Sequence, residues 1–85
     1  MKIIAYGCSH CHSYIYSRAP HDFRYCLCKA IAVDGGQTGY VRLVGEKESF
    51  METTKEFDLG ETVTLKDLYT DWSLSKDKFG LVKET

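Results

Sequence analysis

The chain's 85 residues leave room for one domain with a thin core, because a chain this short buries only roughly 60–65% of the surface its unfolded form exposes, and a metal or disulfide staple is therefore expected. Apolar residues make up 44% and proline occurs once, at Pro20, a composition that excludes a disordered segment. The net charge of −1 excludes an overtly basic nucleic-acid binder, although residues 1–45 carry five basic against two acidic side chains and residues 46–85 carry six lysines against ten carboxylates.

Residues 2–6 read as a first strand, with β-branched Ile3 and Ile4 and aromatic Tyr6. Gly7 ends it and permits a tight turn carrying Cys8 and Cys11. Residues 14–16 supply a return strand, making a hairpin around the first cysteine pair. Residues 17–22 are loop, with Pro20 discouraging helix at Ala19. Residues 23–28 alternate aromatic, charged and cysteine side chains and bring Cys26 and Cys28 to the end of a strand. Residues 30–33 form a short apolar strand. Asp34-Gly35-Gly36 is a turn, because both glycines take positive φ without strain. Residues 40–44 alternate and predict a strand antiparallel to 30–33.

Residues 48–57 read as strand, with Ser49, Met51, Thr53 and Lys55 on one face and Phe50 and Thr54 on the other, or alternatively as helix over 50–55, which adjacent Thr53 and Thr54 disfavour. Thr64 is a good N-cap, and Asp67 at N3 offers a short-armed capping box. Leu65, Leu68, Tyr69 and Trp72 fall at i, i+3, i+4 and i+7 and predict a helix over 65–72 with an apolar face. Val63 is placed to staple against Leu68. Ser75 is expected to cap one further turn through Lys78, ending at Gly80, with Leu81 and Val82 as an alternative last strand. The fold expected is a small α+β metal-stapled domain, with N-terminal zinc-ribbon-like β-hairpins followed by short strands and a C-terminal helix. A single domain over 1–85 is expected, with a zinc-ribbon-like part at 1–45 and an acidic part at 46–85.

The pattern Cys8-x2-Cys11-x14-Cys26-x-Cys28 gathers soft thiolate donors. Zinc takes four such ligands tetrahedrally, whereas magnesium and calcium require oxygen. A structural Zn2+ held by Cys8, Cys11, Cys26 and Cys28 is the leading reading. His10, His12 and His21 lie among or beside the cysteines as alternative ligands or as supports for one, with His21 the best placed to displace a thiolate. Four thiolates leave no open position for substrate or water, so catalysis at the metal is not expected. A thioredoxin-like role for Cys8 and Cys11 lacks its βαβ context. No nucleophile–base set is identifiable elsewhere, and an enzyme is not expected, the alternative being an unrecognised non-metal site. No run is long and apolar enough for a signal peptide or a membrane span, and the cytoplasm is the expected compartment, where four cysteines point to metal more than to disulfides.

Three surfaces are candidates for partners. Arg18, Arg24 and Arg42 interleave with Tyr25 and Tyr40, a composition able to contact phosphates and stack on bases. Tyr69 and Trp72 belong to the core or, if exposed, anchor a protein partner. The acidic stretch after residue 45 is a second means of attracting a basic partner.

Cys8-Ser-His-Cys11, His21-Asp22-Phe23, Cys26-Leu-Cys28 and Ala32-Val33-Asp34-Gly35-Gly36 with Tyr40 together resemble a small uncharacterised family of zinc-ribbon-like proteins found in bacteriophages and bacteria. The resemblance spans residues 4–44 and implies a ribbon fold without an activity. It also implies glycine after the second cysteine pair, where this chain has Lys29. For a phage-encoded chain it suggests an interaction module that binds a host or phage protein, with a nucleic-acid-binding ribbon as the alternative.

Overall fold

The computed structural model describes residues 1–37 and 41–83, and of residue 83 the backbone only. The expected Tyr40 contact lies outside the described residues. The strands are β1 (Lys2–Gly7), β2 (Ser13–Ile15), β3 (Arg24–Tyr25), β4 (Ala32–Asp34), β5 (Arg42–Val44), β6 (Lys55–Asp58) and β7 (Leu81–Lys83), and the helix is α1 (Leu65–Ser73). This is the small α+β arrangement anticipated: N-terminal hairpins, two small sheets and a C-terminal helix.

β1 alternates in its burial, with Ile3, Ala5 and Gly7 inward and Lys2 and Ile4 outward, as a half-buried strand does. It lies inside a four-stranded antiparallel sheet of order β6-β1-β2-β7. Tyr6 pairs with Ile15 and Gly7 with Tyr14, which closes the hairpin around the first cysteine pair. β6 and β7 both come from beyond residue 45, so the acidic half completes the sheet that the basic half begins.

β3, β4 and β5 form a second antiparallel sheet, with Val33 opposite both Arg24 and Leu43. The connection after β4 uses the expected glycines, Gly35 at φ 111° and Gly36 at φ 77°. Gly36 is doubly constrained, since a Cβ there would stand 3.0 Å from the backbone of Ala19 and Pro20.

The interior divides into two clusters. Cys8, Ile15, Cys26, Ile31 and Val33 form one, with Phe50 and Leu81 packed against it. Ile3, Ala5, Tyr16 and Leu68 form the other, beneath the helix, with Val63, Phe57 and Phe79 at its margin. Thr64 caps α1 with the reciprocal box expected, its side chain receiving the Asp67 N–H while the Asp67 carboxylate receives the Thr64 N–H at 2.8 Å.

Three expectations need correction. Residues 48–57 are not one strand: a 3-10 turn (Lys47–Ser49) comes first, Phe50 makes a single antiparallel bridge to Cys8, and continuous strand pairing begins only at Lys55. The intervening backbone wraps the first cysteine turn instead, Ser9 N–H donating to Ser49 O at 2.9 Å and Met51 N–H to Gly7 O at 2.8 Å. No further helical turn forms at 75–78, because the Asp71 carboxylate captures the N–H groups of Lys78 and Phe79 and turns the chain around itself. The helical stripe is also only partly core. Leu68 is fully buried and Trp72 half-buried, but Leu65 and Tyr69 are 45% and 52% exposed, since a nine-residue helix on a small sheet covers a single line of side chains.

Candidate metal centre

Two tight turns carry the cysteines. In the first, Cys8 directly follows β1 and His12 N–H donates to Cys8 O at 3.0 Å. In the second, Lys29 N–H donates to Cys26 O at 3.1 Å. The residue after each pair is left-handed, His12 at φ 59° and Lys29 at φ 64°. The glycine that the family resemblance implies after the second pair is thus explained by backbone geometry, and this chain fills the position with lysine at a cost in strain.

The turns converge so that the sulfur atoms of Cys8, Cys11, Cys26 and Cys28 all lie within 4.8 Å of one another. Cys28 Sγ stands 3.6 Å from both Cys8 Sγ and Cys26 Sγ. These separations are far too long for disulfides, which need about 2.05 Å, and all four cysteines are free. They match a tetrahedron of thiolates around one ion, in which Zn–S bonds of about 2.3 Å place sulfurs about 3.8 Å apart. The four-cysteine cluster is geometrically suited to hold a metal ion. Cys8 and Cys26 are buried, Cys11 is half-buried and Cys28 is exposed, so one edge of the cluster faces solvent.

The surroundings act in opposite directions on the two thiols of the first pair. Backbone N–H groups of His10 and Cys11 point at Cys8 Sγ, at 3.4 and 3.5 Å. Ser13 is fully buried and its hydroxyl lies 3.0 Å from Cys11 Sγ while accepting the Leu27 N–H at 3.4 Å. Burial pushes the Cys8 thiol up to about 12 despite those N–H donors. Burial acts on Cys11 too, but hydrogen bonds from the Ser13 hydroxyl and the Ser13 and Cys28 backbones outweigh it and hold Cys11 at about 5. A proton is thus retained on Cys8, where charge is most costly, while Cys11 is ionised at neutral pH.

The cluster contains cysteine alone. His10 Nε2 lies 3.2 Å from Ser49 Oγ. His12 is exposed at its strained turn. The His21 ring faces Trp72, with centroids 6.4 Å apart, and Trp72 in turn meets Tyr69 edge-on at 5.5 Å. His21, Trp72 and Tyr69 therefore make one aromatic surface patch that spacing along the chain did not suggest.

The arginines are committed to carboxylates. Arg18 is only 7% exposed and is not available to phosphates, which corrects the expectation placed on it. Its Nε meets Asp22 Oδ2 at 2.7 Å and its Nη1 meets Asp71 Oδ2 at 2.8 Å. Arg24 Nη1 pairs with Asp77 at 2.8 Å. Arg42 pairs with Asp34 at 3.2 Å and lies over the Phe23 ring. Tyr25 is 49% exposed and packs edge-on against Phe23. Sequence reasoning missed the Arg18–Asp22–Asp71 network. The i, i+4 spacing of Arg18 and Asp22 was its only local signal, and Asp71 lies 53 residues from Arg18.

No helix among the described residues is long and apolar enough to cross a membrane. No curated protein and no solved structure matches the chain. Residues 1–45, which hold all four cysteines, match the family described as Domain of unknown function (DUF7695), and the chain belongs to that family.

Proposed function

We infer that this protein is a non-enzymatic, zinc-stapled interaction module: Cys8, Cys11, Cys26 and Cys28 hold one structural zinc ion, and the surfaces fixed by it engage a protein. The convergence of the four sulfur atoms within 4.8 Å carries this reading. Four thiolates satisfy zinc completely and leave no position for a substrate, which suits a structural role. The site fastens turns from β1 and from the β3–β4 connection above a core cluster of five buried residues, where a small domain most needs a staple. A thiolate zinc site also suits a reducing cytoplasm.

The aromatic patch of Tyr69, Trp72 and His21, continued by exposed Leu65, supports a protein partner. Tyr and Trp are the side chains that anchor interfaces most often. With the arginines bound to aspartates, this patch is a better candidate than the basic half. The resemblance to phage-borne proteins points to a host or phage protein as the partner.

Metal content of the purified protein, followed by circular dichroism before and after chelation, tests the zinc assignment. One zinc per chain and loss of structure on chelation are expected, since binding and folding are coupled. A metal-free protein that keeps its structure and four titratable thiols overturns it. The interaction reading is tested by in-cell crosslinking of the parent and of Tyr69→Ala/Trp72→Ala. A specific crosslinked protein that disappears in the variant supports it, and a crosslinking pattern unchanged by the substitutions refutes it.

A further inference from the structure

A groove of about 630 Å³ opens between α1 and the segment that follows it, and no cysteine lines it. Lys66, Lys76 and Lys78 line this groove together with the hydroxyl-bearing Thr62 and Thr70. Half of the six lysines in residues 46–85 thus surround one hollow, in the half of the chain that carries ten carboxylates. Among the described residues none of the three is ion-paired. The Lys78 ammonium rests 5.6 Å from the centroid of the Phe79 ring.

The two carboxylates at the groove are engaged elsewhere. Asp67 accepts the Thr64 N–H and hydroxyl in the helix cap, at 2.8 and 3.2 Å. Asp71 accepts from Arg18, from Lys78 N–H and from Phe79 N–H. The loop carrying two of the lysines is also fixed in advance: Lys76 N–H donates to Asp71 O at 2.9 Å, and Lys76 O accepts from Arg18 Nη1. Little backbone order has to be gained on binding, which lowers its entropic cost.

We propose that this groove binds a small phosphate ester, its phosphates held by Lys66, Lys76 and Lys78 with Thr62 and Thr70 as hydroxyl donors. Lysine ammoniums act as mobile point charges with three donors each, which suits a multiply charged tetrahedral oxyanion better than a planar carboxylate. The groove's volume of about 630 Å³ exceeds what phosphates alone fill and leaves room for an organic group. The site shares no residue with the cysteine cluster and stands or falls independently of the zinc assignment.

The full-length protein as purified is titrated with pyrophosphate and with ADP, followed by amide chemical shifts, with adenosine and sulfate at matched ionic strength as controls. Saturable shifts confined to residues 62–79 are expected with both phosphate ligands and not with the controls. Each of K66Q, K76Q and K78Q is expected to weaken binding about threefold, as loss of one exposed charge contact does. Tighter binding of ADP assigns the site to nucleotides, and equal binding assigns it to the phosphate group alone. The proposal is overturned if no saturable binding occurs below about 10 mM, weaker than any useful affinity. It is equally overturned if sulfate reproduces the shifts, or if K66Q/K76Q/K78Q, shown by its melting curve to be folded, binds like the parent.

Discussion

The Ser13 hydroxyl lies 3.0 Å from Cys11 Sγ and accepts the Leu27 N–H at 3.4 Å. Cys11, held at about 5, is a thiolate at neutral pH with no proton to give, so the hydroxyl donates to the sulfur. One buried side chain thereby ties the first cysteine turn to the second. Ser13→Ala removes that bond without changing the ligand set. The expected result is a metal affinity lower by about 10- to 100-fold with unchanged stoichiometry, the usual effect of removing a group that orients a ligand. Competition with a chromogenic chelator measures it, and an unchanged affinity shows that the hydroxyl is only a spacer.

His12 and Lys29 occupy matching left-handed positions after the two cysteine pairs. That backbone costs a residue with a Cβ about 1–2 kcal/mol. His12→Gly and Lys29→Gly relieve it, against a loss of about 0.5–1 kcal/mol through the greater entropy of glycine in the unfolded chain. Each is expected to stabilise the metal-loaded protein by about 0.5–1 kcal/mol. Denaturant unfolding checks this, and destabilisation at either position means that its side chain makes a compensating contact.

The contrast between these turns and the rest of the molecule shows what the sequence makes legible. Cys8, Cys11, Cys26 and Cys28 are recognisable because metal chemistry constrains residue type and spacing together. Thr64 and Asp67 are recognisable because a capping box is complete within four residues, and both of its hydrogen bonds are present. The strand order β6-β1-β2-β7 is a different matter, since it depends on pairings between segments more than 40 residues apart. Alternation at Ser49 and Met51 suggests a continuous strand, but their backbone groups make only a single bridge, to the first cysteine turn. Arg18 reads as a surface cation until Asp71, supplied by α1, closes over it. Local pattern carries caps, turns and ligands, while burial of a charge is decided by a partner distant in sequence.

With zinc at the four cysteines, as proposed, protons and metal compete for the same sulfurs. The Cys8 thiol, held up at about 12 by burial, surrenders a proton to a bound cation at any pH below that value. Cys11, held at about 5, is already ionised at neutral pH and competes only below about 5. Apparent zinc affinity is therefore expected to fall as pH falls, by about tenfold per pH unit for each proton displaced, and to fall more steeply below pH 5. Chelator competition between pH 4.5 and pH 8 gives the slope. An affinity independent of pH is incompatible with thiol coordination.

The buried Arg18–Asp22–Asp71 network fastens the loop after β2 to the end of α1 and to the segment that leads into β7. Asp71 is 4% exposed and receives Arg18, Lys78 N–H and Phe79 N–H. Burial opposes its charge, but the Arg18 guanidinium and the two backbone donors outweigh that and hold the carboxyl below its usual value of 3.8. Asp71→Asn keeps the shape and removes the charge, leaving Arg18 with one carboxylate. A loss of about 3 kcal/mol is expected at neutral pH, the scale for breaking a buried ion pair from one side. A carboxylate with a lowered folded-state pKa contributes its stability above the unfolded value, near 3.8, and loses it as pH falls through the folded value. The difference between parent and Asp71→Asn is thus expected to be constant from pH 7 to about pH 5 and to narrow below pH 4. Urea unfolding of both proteins in the same excess of zinc compares them at each pH, because the metal contribution is then common to both. A difference that stays constant to pH 2.5 means that Asp71 acts as a hydrogen-bond acceptor alone, and a difference near zero at pH 7 means that the network contributes to specificity without adding stability.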